Sequence, residues 1–180
     1  MHKLVLAAAL ALTLVHPAQA QNQTEAKTEI SADLSALPKL VEQKRAQLIT
    51  ATETGDIAAL KPIFDAQQYP PQVSYGEVAD PIATLKEFSR DGEGVEVLAD
   101  LRNALEMPYG KTSFTDGRTI YIWPYLAAID VTSLTPGQLV DAYRILPADV
   151  AAGLSSDGAY YYWSLTIEPS GELSTFSLGD

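Results

Sequence analysis

The spacing of apolar residues changes near Met107-Pro108, and that change bounds the fold. Before it, apolar residues recur at helical spacing; after it, short segments that alternate by two enter, with two further helical stretches among them. Leu34, Leu37, Leu40, Val41 and Leu48 predict a helix of about 13 residues from Pro38 to near Thr54-Gly55. Asp56 caps a second, short helix with Ile57, Leu60, Ile63 and Phe64 on its apolar side. Pro62 breaks or kinks it, because proline lacks the amide hydrogen that helix interiors use. Residues 67–73, with Tyr69-Pro70-Pro71, read as an extended loop, and Ser74-Tyr75-Gly76 as the border of a short strand. Asp80-Pro81 starts a third helix carrying Ile82, Leu85 and Phe88. Val97, Leu98, Leu101 and Leu105 stripe a fourth over residues 95–106.

Beyond the break, Asp116-Gly117 is a turn signal between strand-like segments. Residues 119–123 form a strand that Pro124 restricts to an edge or an end. Thr135-Pro136-Gly137-Gln138 is a capping box with proline at the first helical position, followed by Leu139, Val140, Tyr143 and Leu146. A further short helix covers residues 147–154. Residues 159–167 read as a strand with Tyr161, Trp163, Leu165 and Ile167 on one face. Tyr160, Tyr162, Ser164 and Thr166 take the other face, and residues 172–178 return after Pro169-Ser170-Gly171. The order predicts one α+β domain over residues 34–180. An N-terminal helical layer packs on a small antiparallel sheet ending in a C-terminal β-hairpin.

Residues 1–20 read as a secretory signal peptide. Lys3 supplies the positive end, Leu4 to Val15 the apolar run, and Ala18-Gln19-Ala20 the small-x-small cleavage site. Residues 21–33 are polar and aperiodic and read as a disordered leader. The expected location is periplasmic or secreted. Both histidines, His2 and His16, lie in the signal, and the chain has no cysteine. A mature protein starting near Gln21 would hold neither imidazole nor thiol. That excludes Ser-His-Asp and Cys-His triads and the usual zinc ligands. No second apolar run reaches membrane-spanning length, so no membrane association is expected after cleavage. The formal charge is −11 and becomes one unit more negative when Lys3 leaves. Nucleic acid is thereby disfavoured as a partner, as are anionic lipid surfaces. No cofactor is expected.

Six of nine tyrosines and both tryptophans fall between residues 121 and 163, which makes this the chemical centre of the sequence. They form two blocks, Tyr121-Ile122-Trp123-Pro124-Tyr125 and Tyr160-Tyr161-Tyr162-Trp163. Aromatics favour strands and fill cores; an aromatic face beside polar groups also suits sugars, peptides or flat apolar ligands. The candidate ligand-binding set is Tyr121, Trp123, Tyr125, Arg144, Tyr160 and Tyr162. Arg144 would anchor an anion or pair with Asp141. Asp116 and Arg118 are the other charges near the blocks. Glu96 and Asp100, four apart on one helix, are the candidate paired carboxylates for glycoside chemistry. Asp91-Gly92-Glu93-Gly94 is acidic and glycine-rich but lacks the spacing of a calcium loop and reads as an interhelix turn.

With these blocks in view, the chain resembles a family of uncharacterised exported proteins of alphaproteobacteria. The resemblance rests on Gly55-Asp56-Ile57-Ala58-Ala59-Leu60, Asp91-Gly92-Glu93-Gly94, Tyr121-Ile122-Trp123-Pro124-Tyr125, Leu134-Thr135-Pro136 and Phe176-Ser177-Leu178-Gly179-Asp180. It covers most of the mature chain and implies export, not a mechanism. The Gly-Asp-x-x-Ala-Leu helix start is also similar to the opening of NTF2-like domains, over about thirty residues of the N-terminal helices; the four-helix stretch departs from the simple order of that fold. The function this reading favours is a non-enzymatic periplasmic accessory or ligand-binding domain. Its partner would be a small molecule, a glycan or an envelope protein. The alternatives are a carboxylate-dependent envelope enzyme of glycan-hydrolase type and a structural partner in an envelope complex.

Overall fold

The computed structural model describes residues 26–76 and 78–179. The signal-peptide reading of residues 1–20 lies outside them, as do residues 21–25 of the expected leader. Five strands form one antiparallel sheet in the order of the chain: β1 (Ala26–Ser31), β2 (Tyr109–Phe114), β3 (Thr119–Trp123), β4 (Trp163–Ile167) and β5 (Leu173–Leu178). Four helices lie between β1 and β2: α1 (Lys39–Glu53), α2 (Lys61–Asp65), α3 (Pro81–Phe88) and α4 (Val95–Glu106). Two more, α5 (Pro136–Ile145) and α6 (Ala148–Asp157), are inserted between β3 and β4. The chain is an α+β fold whose N-terminal helices pack on an antiparallel sheet that ends in the β4–β5 hairpin.

The leader expectation is corrected from Ala26 onward. Residues 26–31 pair in full register with β2, from Ala26 opposite Phe114 to Ser31 opposite Tyr109. Thr28 and Thr112 share a hydroxyl–hydroxyl bond of 2.8 Å across the pair. An edge strand needs one ladder and little burial, so β1 carries no apolar periodicity to betray it. Its lysine and glutamate, Lys27 and Glu29, also suit an unpaired edge.

The local signals act as their chemistry dictates. Asp80 accepts from the backbone N–H groups of Ile82 and Ala83 ahead of Pro81, which starts α3. Thr135 and Gln138 close both bonds of the capping box on α5. Asp56 caps a 3-10 turn at Ile57–Leu60 that runs into α2, with Pro62 in the first turn, where its missing amide costs nothing. The chain before α4 is held by Asp91. Its carboxylate accepts from the Ser89 hydroxyl and from the N–H groups of Glu93, Gly94 and Glu96, which holds its pKa at about 2. Gly94 caps α4 at φ +89°, and a Cβ there would lie 2.5 Å from Cδ1 of buried Ile57, so only glycine fits.

The sheet register builds the main core. Tyr121 lies opposite Ile167, Trp123 opposite Leu165, and Leu165 opposite Phe176, so all five share a face. Val41 and Leu48 of α1 and Val97, Leu98, Leu101 and Leu105 of α4 join this cluster from the helical layer. A second, smaller cluster joins Met107, Tyr125, Leu126, Val131, Ala142, Leu146, Ala151 and Leu154 beneath α5 and α6.

Two strand expectations are trimmed. β4 begins at Trp163, not Ala159. Its ladder with β5 starts at Trp163, opposite Leu178, and its ladder with β3 only at Leu165, opposite Trp123, so residues 160–162 precede both. Ser74-Tyr75-Gly76 borders no strand; the nearby pairing is a single parallel bridge between Gln72 and Thr175. No helix among the described residues is long and apolar enough to cross a membrane.

Candidate functional site

Three of the six predicted ligand-binding residues are built into the core. Tyr121 and Trp123 are 5% and 0% exposed and pack with Tyr109, ring centres 5.9 and 5.4 Å away. Tyr125 is 3% exposed and belongs to the second cluster. Tyr121 and Trp123 face the helices from alternate strand positions and Tyr125 is enclosed in the smaller cluster, so none of the three offers a surface to a ligand. Arg144 is exposed but engaged: its Nη1 donates to Asp141 Oδ1 at 3.1 Å. The other carboxylate oxygen accepts from the Tyr125 hydroxyl at 3.0 Å. Asp141 thus ties the small core to the surface, and Arg144 serves that structural pair.

Tyr162 lies half-buried where the two clusters meet, and Tyr160 half-buried against the smaller one; the chain leaves α6 through Gly158 and has no β3 partner until Leu165. The Tyr160 hydroxyl donates to the Trp163 carbonyl at 3.3 Å. The Tyr162 hydroxyl donates to Asp100 Oδ2 at 3.1 Å, linking the segment to α4. Burial raises the Asp100 pKa to about 6 against the Tyr162 hydrogen bond, with the neighbouring Glu96 charge adding to the rise. Glu96, one turn earlier, moves the other way. It accepts from the Arg90 backbone N–H at 2.8 Å and from the Arg90 guanidinium, which hold its pKa below the ordinary range. Two carboxyls with opposed proton affinities are the electrostatic pattern of an acid and its partner. Here, however, both Glu96 oxygens are already used by Arg90.

Concave surface and exposed aromatics coincide elsewhere, on the loop between α2 and α3. Gln67 anchors it by imitating a strand. Its side-chain Oε1 accepts from Leu173 N–H at 2.7 Å, and its Nε2 donates to the Leu173 carbonyl at 3.2 Å. Lys44 donates to the same Oε1 at 3.0 Å, and burial lowers the Lys44 pKa. Gln72 continues the pairing, donating to the Ser174 carbonyl and accepting from Phe176 N–H. The loop therefore caps the outer edge of β5, while Pro70 and Pro71 hold it extended between the two anchors. Tyr69 and Tyr75 stand out at 71% and 70% exposure, the most exposed large apolar side chains among the described residues.

A concavity of 840 Å³ opens here, lined by Tyr69, Pro70, Pro71, Val73, Gly76, Val78 and Ser174 among others. A second, of 500 Å³, shares Tyr69, Pro70 and Ser174 with it and adds Gln68, Glu168, Ser170 and Glu172. Tyr75 precedes the lining residue Gly76 in the chain and is not itself part of either wall. The sequence did mark this segment through Tyr69-Pro70-Pro71, but the density of aromatics further along drew the candidate set away from it. Among the described residues no three of His, Cys, Asp and Glu stand together as a metal site.

Compared with family models, curated proteins and solved structures, the chain matches none.

Proposed function

We propose that this chain is an exported accessory protein that binds a glycan without transforming it, on the concave face beside Tyr69 and Tyr75. The single observation that carries the reading is the open ring of Tyr69 in the wall of two adjoining concavities, with a second open ring, Tyr75, next in the chain to the lining residue Gly76. Flat aromatic faces stack on the C–H faces of sugar rings, and Gln68, Ser170, Ser174, Glu168 and Glu172 offer donors and acceptors for hydroxyls. The signal-like N-terminus and the resemblance to exported proteins of alphaproteobacteria support an envelope location. Without imidazole or thiol beyond that signal, the chain is poorly equipped for nucleophilic chemistry.

The test is calorimetric titration of the mature chain with a panel of envelope oligosaccharides, and with peptides of matched length. A glycan binds, and Tyr69→Ala or Tyr75→Ala weakens it about tenfold with an unchanged melting temperature. Peptide binding in place of glycan, or indifference to both substitutions, overturns the reading. N-terminal sequencing of the protein recovered from a periplasmic fraction checks export, with Gln21 as the expected first residue.

A carboxylate-dependent hydrolase is the second reading, favoured by the opposed proton affinities of Asp100 and Glu96. It requires glycan cleavage that disappears in Asp100→Asn and survives in Tyr69→Ala.

A further inference from the structure

Helix α5 buries only Ala142 completely and turns much of its apolar surface outward. Leu139, Val140 and Tyr143 are 41%, 62% and 50% exposed, on adjoining positions of one helical surface. A groove of 330 Å³ runs beside them. Leu139 and Tyr143 contribute to its wall from α5, and Ala151 and Leu154 line it from α6. An amphipathic helix ordinarily spends its apolar positions on the core beneath it. The small cluster under α5 and α6 does not take these three, so they remain for something outside the chain.

The charges around the groove decide what that is. Residues 130–157 contain four aspartates and one cation, Arg144. Arg144 is paired with Asp141. Asp130, Asp149 and Asp157 are exposed. Asp130 is fixed beside the groove: its Oδ1 accepts from the Thr132 N–H at 2.9 Å and from the Thr132 hydroxyl at 2.6 Å, and Thr132 lines the groove. Asp149 lies about one turn before Ala152, another lining residue, on the same helix.

We propose that this α5–α6 groove docks a segment of a partner protein that carries large aliphatic side chains flanked by lysine or arginine. Apolar side chains would enter between Leu139, Tyr143 and Leu154, and the basic flanks would meet Asp130, Asp149 and Asp157. A second copy of the chain would bring the same acids to the same place. An anionic membrane would be repelled by them for the same reason. The proposal is separate from the glycan face, which lies on the other loop system and shares no residue with this groove.

The probe is a synthetic helical peptide of alternating leucine and lysine blocks, compared with one in which glutamate replaces lysine. Each is titrated into the mature full chain and followed by NMR. The lysine peptide is expected to bind, with shifts concentrated on Leu139, Val140 and Tyr143, and to weaken at least about tenfold in Val140→Ser/Tyr143→Ser. Asp149→Lys/Asp157→Lys is expected to weaken it too, and to flatten its salt dependence. Both pairs alter exposed side chains, and circular dichroism confirms that the variants stay folded. Tyr69→Ala is expected to leave peptide binding unchanged. Equal binding of the glutamate peptide, shifts centred elsewhere, or no binding overturns the proposal. So does a chain that self-associates through this face in sedimentation, or that prefers phosphatidylcholine vesicles to the peptide.

Discussion

Tyr121, Trp123 and Trp163 occupy alternate positions on β3 and β4, while Tyr69 and Tyr75 occupy a proline-held loop, and the two groups meet opposite fates. The strand rings are 5%, 0% and 4% exposed; the loop rings are 71% and 70% exposed. Residue chemistry is the same in kind, so the backbone decides. A paired strand sends every second side chain to one face, and α1 and α4 cover that face. A loop tied down by Gln67 and Gln72 at the edge of β5 has no layer above it. The dense aromatics of these strands therefore build the core, and the two on the uncovered loop stay open.

Five substitutions would break or sharpen that contrast. Trp123→Ala removes the largest fully buried side chain and should cost about 3–5 kcal/mol in urea unfolding. A cost under about 1 kcal/mol would show that the strand aromatics are not the core. Gly94→Ala tests the helical side of the same core. Its positive φ and the overlap with Ile57 should cost about 2–3 kcal/mol and loosen α4, read by hydrogen exchange at Leu98 and Leu101.

Asp100→Asn probes the boundary, where half-buried Tyr162 joins the two clusters. The folded Asp100 binds its proton more tightly than the unfolded chain does. Stability from this group is therefore highest below about pH 4, declines as pH rises toward about 6, and stays low above it. Asparagine keeps an acceptor for the Tyr162 hydroxyl without the charge. It should stabilise the protein at pH 7.5 by about 1 kcal/mol, after allowance for solvent screening at a partly exposed site, and remove the decline between pH 4 and 6. The smallest stability effect belongs to the loop. Tyr69→Ala and Tyr75→Ala should each change stability by under about 0.5 kcal/mol while weakening glycan binding. A large loss of stability in either would return these rings to the structural group.

Much of the fold was legible in the residues because its signals are local. The Asp80-Pro81 start, the Thr135/Gln138 capping box, the Asp116-Gly117 turn and the α4 stripe all act within one or two turns of chain. β1 was not legible, because its partner Phe114–Tyr109 lies some eighty residues away and its own pattern is polar. The end of β4 was misjudged for a related reason. Tyr160-Tyr161-Tyr162 has strand-forming side chains, but the ladder with β5 begins only at Trp163, opposite Leu178, and that with β3 only at Leu165. The candidate site suffered most. Side-chain type identifies a residue that is able to bind, whereas binding needs an open side, and openness depends on which layer lies above each ring.

By itself the sequence determined the order of elements from α1 onward, their caps and turns, the acidic balance, and the lack of thiol and of any imidazole outside His2 and His16. These are properties of composition and of neighbours along the chain. Only the tertiary structure decided that Tyr121, Trp123 and Tyr125 are core, that Arg144 belongs to Asp141, and that Tyr69, Tyr75 and the outer surface of α5 remain open. Burial is a relation between segments distant in sequence, set by sheet register and helix placement, and no local pattern encodes it.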